Sequence, residues 1–330
     1  MALNYQKICS ELVEGLPKRT KDVLWRRFGL NQAAGRGEKE TLESIGKSYN
    51  LSRERVRQIE MAGISKIKPN LKKAQGALQY FTKFLENYGK LKKEDILLTR
   101  LGEEKFNPHV FFLLNLDEHF KRFSENEDFY SLWTIDPVSL NFAKEVIEDF
   151  YKKLEKNKKP LDLADYTPPF DIKPRALASY LEVSKLIEKG SEGDFGLRNW
   201  PEIKPRGVKD KAYLVLKKEK KPLHFSEISK KISSDTLIET VHNELIRDPR
   251  FVLVGRGTYA LADWGYKPGT VKEIMVDLLE QSEKPLSKEE ILEKVLKQRL
   301  VKENTVLLNL SDKKHFLKNL EGKYILVDEA

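Results

Sequence analysis

Residues 41–68 read TLESIGKSYNLSRERVRQIEMAGISKIK, and this stretch decides how the N-terminal part of the chain folds. Thr41 can cap a helix over Leu42–Tyr49, and Asn50 can take the left-handed conformation that stops it. Ser52 then caps a second helix, from Arg53 to about Lys68, closed by Pro69. Two helices joined by so short a turn predict a helix-turn-helix. Ile45, Val56 and Ile59 supply the core between them, and Gly46 lets the backbones approach. On a helical wheel Val56, Ile59, Gly63 and Ile67 share one face, while Arg53, Glu54, Arg57 and Gln58 share most of another.

That polar set starts at the helix N-terminus, the end that meets base edges when such a helix lies in a major groove. Arg53 can pair bidentately with guanine, Glu54 can accept from cytosine and Gln58 can pair with adenine, each good pair discriminating by about 1–3 kcal/mol. Arg55, Arg26, Arg27 and Lys47, with Ser52 at the helix start, are the candidates for the DNA backbone, where contacts give affinity without sequence information.

Upstream, Leu12 and Leu16 lead to Pro17, which suits a helix start, and Val23, Leu24 and Phe28 form a stripe ended by Gly29. Asn31 to Lys39, with Gly35 and Gly37, reads as a loop. Charge singles out the same region. The 330 residues carry 60 Lys and Arg against 51 Asp and Glu, a net +9, yet residues 1–75 alone hold 16 and 8. The remaining 255 residues hold 44 and 43 and are nearly neutral. A charged helix face is usually a solvated one, but the capped preceding helix, the small Gly46 and the segregated basic charge favour a DNA-binding reading here.

Composition narrows the rest. One cysteine, Cys9, excludes an intramolecular disulfide framework and any cysteine-rich zinc module. No run approaches a membrane span, and residues 1–10 lack the pattern of a secretory leader, so a cytoplasmic location without membrane attachment is expected.

The runs LPKRTKDVLWRRFGL (16–30) and TLESIGKSYNLSRERVRQIEMAGISKI (41–67) closely resemble region 4 of the sigma-70 family of bacterial RNA polymerase sigma factors, which recognises the promoter −35 element. The resemblance covers Glu11 to Lys68, about a fifth of the chain. It implies base reading by Arg53, Glu54 and Gln58, with Arg55 and Arg57 near the DNA backbone. Met61, Ala62 and Gly63 depart from the family, which usually places a basic residue here, and Gly63 should weaken the helix by about 1 kcal/mol relative to Ala. No segment resembles sigma region 2, so a complete promoter-opening factor is not expected.

Residues 76–330 repeat themselves. KKPLHFSEISKKI (220–232) followed by TLIETVHNELIRDPRFVLVGRGTYALADW (236–264) has counterparts beginning at Gly89, Lys158 and Lys284, the copy at Lys158 being the least regular. The spacing is about 60 to 70 residues. Each copy reads helix, turn, short helix, longer helix and two short strands, the order of a winged helix. Gly255-Arg256-Gly257 between Phe251–Val254 and Thr258–Leu261 is a hairpin signal. The predicted fold is mainly α: a helix-turn-helix domain (1–75), then tandem winged-helix (α+β) repeats at 76–136, 137–204, 205–266 and 267–330. The third copy resembles the HARE-type helix-turn-helix family, including the N-terminal domain of the delta subunit of bacterial RNA polymerase. Pro222-Leu223-His224-Phe225, Ile228, Asn243-Glu244-Leu245, Arg250-Phe251 and Gly257-Thr258-Tyr259-Ala260-Leu261 carry that resemblance. Asp117 and Glu118, like Asp235, Glu239 and Glu244, make poor phosphate surfaces, so protein contact or spacing suits most copies better.

The five histidines fall in different repeats without metal-ligand spacing, Gly35–Gly37 and Gly255–Gly257 lack the sequel of a phosphate loop, and adjacent carboxylates such as Glu289-Glu290 face different ways. No enzymatic activity, metal or cofactor is expected. The function implied is that of a transcription factor on double-stranded, promoter-like DNA with core RNA polymerase as a further partner; the alternative is a polymerase-binding adaptor or anti-initiation protein in which DNA binding is secondary. No sustained heptad pattern fixes an oligomeric state.

Overall fold

Local chemistry starts and stops the first helices. In the computed structural model, which describes residues 3–30, 39–282 and 284–327, the Asn4 side chain caps α1 (Tyr5–Val13). Pro17 precedes α2 (Lys18–Phe28), which ends at Gly29 with φ 69°. Thr41 Oγ1 accepts from the Ser44 amide at 3.1 Å to open α3 (Leu42–Tyr49), and Asn50 stops it at φ 52°. Ser52 Oγ accepts from the Arg55 amide at 3.2 Å to open α4 (Arg53–Ile67). Apart from the Asn4 cap, which was not predicted, these starts and stops are the predicted ones. Pro69 ends the α-helix but not the winding, because Lys68–Ala74 continue as a 3-10 segment into α5 (Gln75–Asn87). The predicted loop from Asn31 lies, Lys39 apart, outside the described residues.

The chain divides into two units, residues 1–198 and 199–330. In the first, α5 is followed by β1 (Leu91–Lys93), α6 (Glu94–Gly102), α7 (Asn107–Leu116), β2 (Lys121–Phe123) and β3 (Leu132–Thr134), in an antiparallel sheet ordered β1-β3-β2 with Lys92 and Arg122 both opposite Trp133. Next come α8 (Val138–Asn157), α9 (Pro174–Val183), β4 (Ile187–Lys189) and β5 (Phe195–Leu197). Leu161 bridges Phe195, which restores the same strand order with a one-residue first strand. The short helix expected in this copy is only a 3-10 turn, Leu163–Asp165. Pro168 and Pro169 follow it, removing amide donors and disfavouring helical backbone before them.

The second unit repeats the grammar twice. First come α10 (Gly207–Glu219), β6 (Leu223–His224), α11 (Phe225–Ile232), α12 (Ile238–Arg247), β7 (Phe251–Gly255) and β8 (Thr258–Leu261), ordered β6-β8-β7. Then α13 (Val271–Glu280), α14 (Lys288–Gln298), α15 (Glu303–Leu310), β9 (Phe316–Lys318) and β10 (Tyr324–Leu326) follow, with Leu286 bridging Tyr324. In every copy the second hairpin strand lies between the first strand and its hairpin mate. The fold is therefore mainly α, a helix-turn-helix followed by tandem winged helices, as predicted.

Packing adds what the pattern did not show. Tyr5, Cys9, Leu12 and Phe28 from α1 and α2 bury with Phe81, Phe112, Leu113 and Trp133 in one continuous core, so residues 1–75 and the first winged unit are joined. The Tyr5 hydroxyl donates to the Leu101 carbonyl at 2.8 Å, Phe28 meets Phe112 edge-on at 5.0 Å, and the Lys39 ammonium sits 3.6 Å from the Phe111 ring centre. This explains why α7 is apolar on several sides: one face closes its own unit and another receives α1 and α2. The two copies of the second unit keep separate cores, one around Leu216, Ile228 and Leu245, the other around Ile274, Ile291 and Val306.

Candidate nucleic-acid interface

The helix-turn-helix is held as a rigid platform from behind. Val23 of α2, Ile45 of α3 and Val56 of α4 are fully buried together, with Leu42, Tyr49, Leu51 and Ile59 packed around them. A Cβ on Gly46 would lie 2.6 Å from the Leu51 carbonyl oxygen, so the turn passes as close to α3 as glycine permits. Gly63 has a similar use. A Cβ there would lie 2.7 Å from Thr20 Cγ2 and 3.1 Å from Leu24 Cδ1, so the helix propensity given up at this position, about 1 kcal/mol, allows α4 to seat closely on α2.

The opposite side of α4 is exposed. Ser52, Arg53, Glu54, Arg55, Arg57 and Gln58 all face solvent, while Val56 between them is buried. Arg57 donates to both carboxylate oxygens of Glu54, at 2.7 and 2.9 Å, which holds the Glu54 carboxyl below its ordinary range; Arg53 is close enough to act in the same direction. Arg55 donates to Gln58 Oε1 at 3.0 Å. Exposed pairs of this kind contribute little, so opening them to engage bases or phosphates costs little. The three base-reading candidates, Arg53, Glu54 and Gln58, are thus brought together within the first two turns, with Arg55 and Arg57 beside them. Lys47 is exposed on α3 and paired with Glu43 at 3.0 Å.

Arg26 and Arg27, predicted for the DNA backbone, have internal partners. Arg26 grips Glu40 through two bonds of 2.7 Å and donates to Ser48 Oγ at 2.8 Å. That bidentate pairing drives the Glu40 carboxyl down and the Arg26 guanidinium up from their usual ranges. Arg27 donates to the Glu40 carbonyl at 3.3 Å and approaches Glu60 at 3.5 Å; burial raises the Glu60 carboxyl in spite of that arginine. Both arginines fasten α2 to α3 and α4.

Glu40, Asp22, Tyr49 and Glu60 are contributors the sequence reading passed over. The Tyr49 hydroxyl donates to Asp22 at 2.7 Å, and Arg19 stacks over the Tyr49 ring at 5.3 Å. Glu40 lies one residue before the Thr41 cap, but its pairing with Arg26 spans 14 residues and leaves no periodic trace. Among the described residues no group of three His, Cys, Asp or Glu is placed to hold a metal ion, and no helix is long and apolar enough to cross a membrane.

The architecture is a helix-turn-helix of the sigma-70 region 4 type followed by winged helices, the third of which is of the HARE type. Residues 12–68 match the family model described as Sigma-70, region 4, and residues 206–264 match the HARE-HTH model, described as an ASXL and restriction endonuclease HTH domain. Among individual proteins, the chain is similar to the RNA polymerase sigma factor SigA of Lactococcus lactis subsp. cremoris, 41% identical over 58 residues, and of Nostoc sp., 41% identical over 61. It is 42% identical over 60 residues to RNA polymerase sigma factor SigA of Synechocystis sp.. Each match covers 18% of this chain and 13% to 15% of the relative, so the chain spans less than a sixth of the length of these proteins.

Proposed function

We propose that the chain is a DNA-binding transcription factor that recognises a promoter −35-like element through α4 and contacts RNA polymerase, regulating initiation in the cytoplasm. One observation carries this reading: Arg53, Glu54 and Gln58 stand exposed at the start of a helix whose other face is locked against α2 and α3. Arg53, Glu54 and Gln58 read bases, Ser52, Arg55, Arg57 and Lys47 contact the DNA backbone, and Arg26 and Arg27 hold the platform. The chain divides functionally into the head, residues 1–75, and winged units at 76–136, 137–204, 205–266 and 267–330. The apolar flank of the head is covered by α7, so polymerase contact falls to other faces, the winged units foremost.

Binding to duplexes with and without a −35 element over a salt series tests the reading. The wild type discriminates between them, and Arg53→Ala and Gln58→Ala each lose about 1–3 kcal/mol of that discrimination. No preference, or no loss in either variant, rejects base reading. Capture of core polymerase without DNA tests the second partner.

A further inference from the structure

The near-neutral average of residues 76–330 hides a basic island in the second unit. Residues 204–232 hold ten Lys and Arg against three Asp and Glu, while the rest of 76–330 holds 34 against 40. Half of this charge gathers where α10 and α11 end. Lys218, Lys220, Lys221, Lys230 and Lys231 are all exposed. Glu219 is the carboxylate among them, bonded to Lys231 at 2.8 Å and pulled below its ordinary range by Lys231 first and by Lys221 and Lys218 as well. One acid is thus shared by at least three of the lysines, Lys231, Lys221 and Lys218. Two exposed helices of the other winged units are balanced: Lys152 answers Glu148 on α8 and Lys297 answers Glu293 on α14, both at 2.7 Å.

Cations at a helix C-terminus complement its dipole, which accounts for one or two of these lysines but not for a cluster crossing two helices and the turn between them. Lysine is a point charge on a flexible stem, suited to phosphate and poor at reading bases. The winged-helix face that would ordinarily enter a groove has the opposite character here. Helix α12 carries Glu239 and Glu244, with Ile238 and Ile246 exposed.

We infer that the lysine surface at the ends of α10 and α11 holds the phosphate backbone of duplex DNA without reading its sequence, while α12 stays off the duplex. The chain then grips DNA twice, once specifically through the head and once through charge alone. This goes beyond the proposed function and does not depend on the head reading bases.

The test compares two full-length variants. One carries Lys218, Lys220, Lys221 and Lys230→Gln; the other carries Lys144, Lys152, Lys294 and Lys297→Gln, which removes the same charge from the balanced helices. Each is titrated with a random-sequence duplex and a −35-containing duplex across a salt series. For the first variant, the slope of log K against log salt should fall by about 0.9 for each phosphate no longer neutralised, so by up to about 3.6, equally on both duplexes. The second variant should keep the wild-type slope.

Equal slopes in the first variant and the wild type, or equal losses in the two variants, overturn the inference. So does binding of poly-L-glutamate as tight as that of a duplex of equal charge, which reassigns the surface to an acidic protein. If the head reads no sequence, wild type binds both duplexes alike, yet the lysine effect persists; the two failures are therefore distinct.

Discussion

Replacing Gly46 by Ala should loosen the helix-turn-helix, although alanine is the better helix former. The added Cβ would sit 2.6 Å from the Leu51 carbonyl oxygen and 3.6 Å from Val56 Cγ2. An ordinary carbon–oxygen contact is about 3.3 Å, so the carbonyl must retreat by about 0.7 Å. That carbonyl is backbone, in a turn held by the Leu51 amide donating to the Gly46 carbonyl at 2.9 Å, and it cannot swing aside like a side-chain end. Overpacking costs about 1–3 kcal/mol, here the upper part of that range, about 2–3, because backbone must move, and the gain in helix propensity returns about 1 kcal/mol. The net loss should be about 1–2 kcal/mol. Because the protein has several cores, one global unfolding energy is ill-defined, and amide exchange resolved by segment is the suitable assay. Amides in α3 and α4 should exchange about 5 to 30 times faster in Gly46→Ala, while the second unit stays unchanged. Gly63→Ala, whose new atom meets Thr20 and Leu24 side chains rather than backbone, should lose less. Exchange in Gly46→Ala as slow as in the wild type would refute the close-approach argument.

Tyr5→Phe removes the bond to the Leu101 carbonyl and should cost about 1–2 kcal/mol; because the core is shared, exchange should accelerate in both α1 and α6, not in α1 alone. Glu40, whose folded pKa is held below the ordinary 4.5 by Arg26, stabilises the head above that pH and loses the contribution as pH falls through the lower folded value. Glu40→Gln should remove this acid-sensitive component from α2 and α3, as read by exchange against pH. His109 is 1% exposed, and burial lowers its pKa below the ordinary 6.5, so the neutral form is the one that packs. The first unit should lose stability as pH falls below about 6.5, and His109→Gln should flatten that dependence.

What was legible in the sequence and what was not divide along physical lines. Thr41, Asn50, Ser52 and Gly29 act within a few residues of themselves, so their capping roles could be read directly. The separation of Val56, Ile59, Gly63 and Ile67 from the polar face of α4 follows from helical spacing alone. Long-range pairing leaves no such mark. Nothing in Arg26 or Arg27 announces Glu40 or Glu60, so the ties these two arginines make within the head could not be read from the chain. The all-round apolarity of α7 signalled burial without naming α1 and α2 as its cover. In the second winged copy, Pro168 and Pro169 were legible as helix breakers, but the repeat pattern overrode them. The basic island of residues 204–232 was present in the sequence and vanished only on averaging over 255 residues.

Selection of bound duplexes from a randomised pool, run side by side with the wild-type chain and Gln58→Ala, tests the central claim most directly. Base reading by α4 predicts one enriched −35-like element for the wild type and the same element relaxed at a single adjacent base position for the variant. An identical motif from both proteins, or no motif from the wild type, would contradict it.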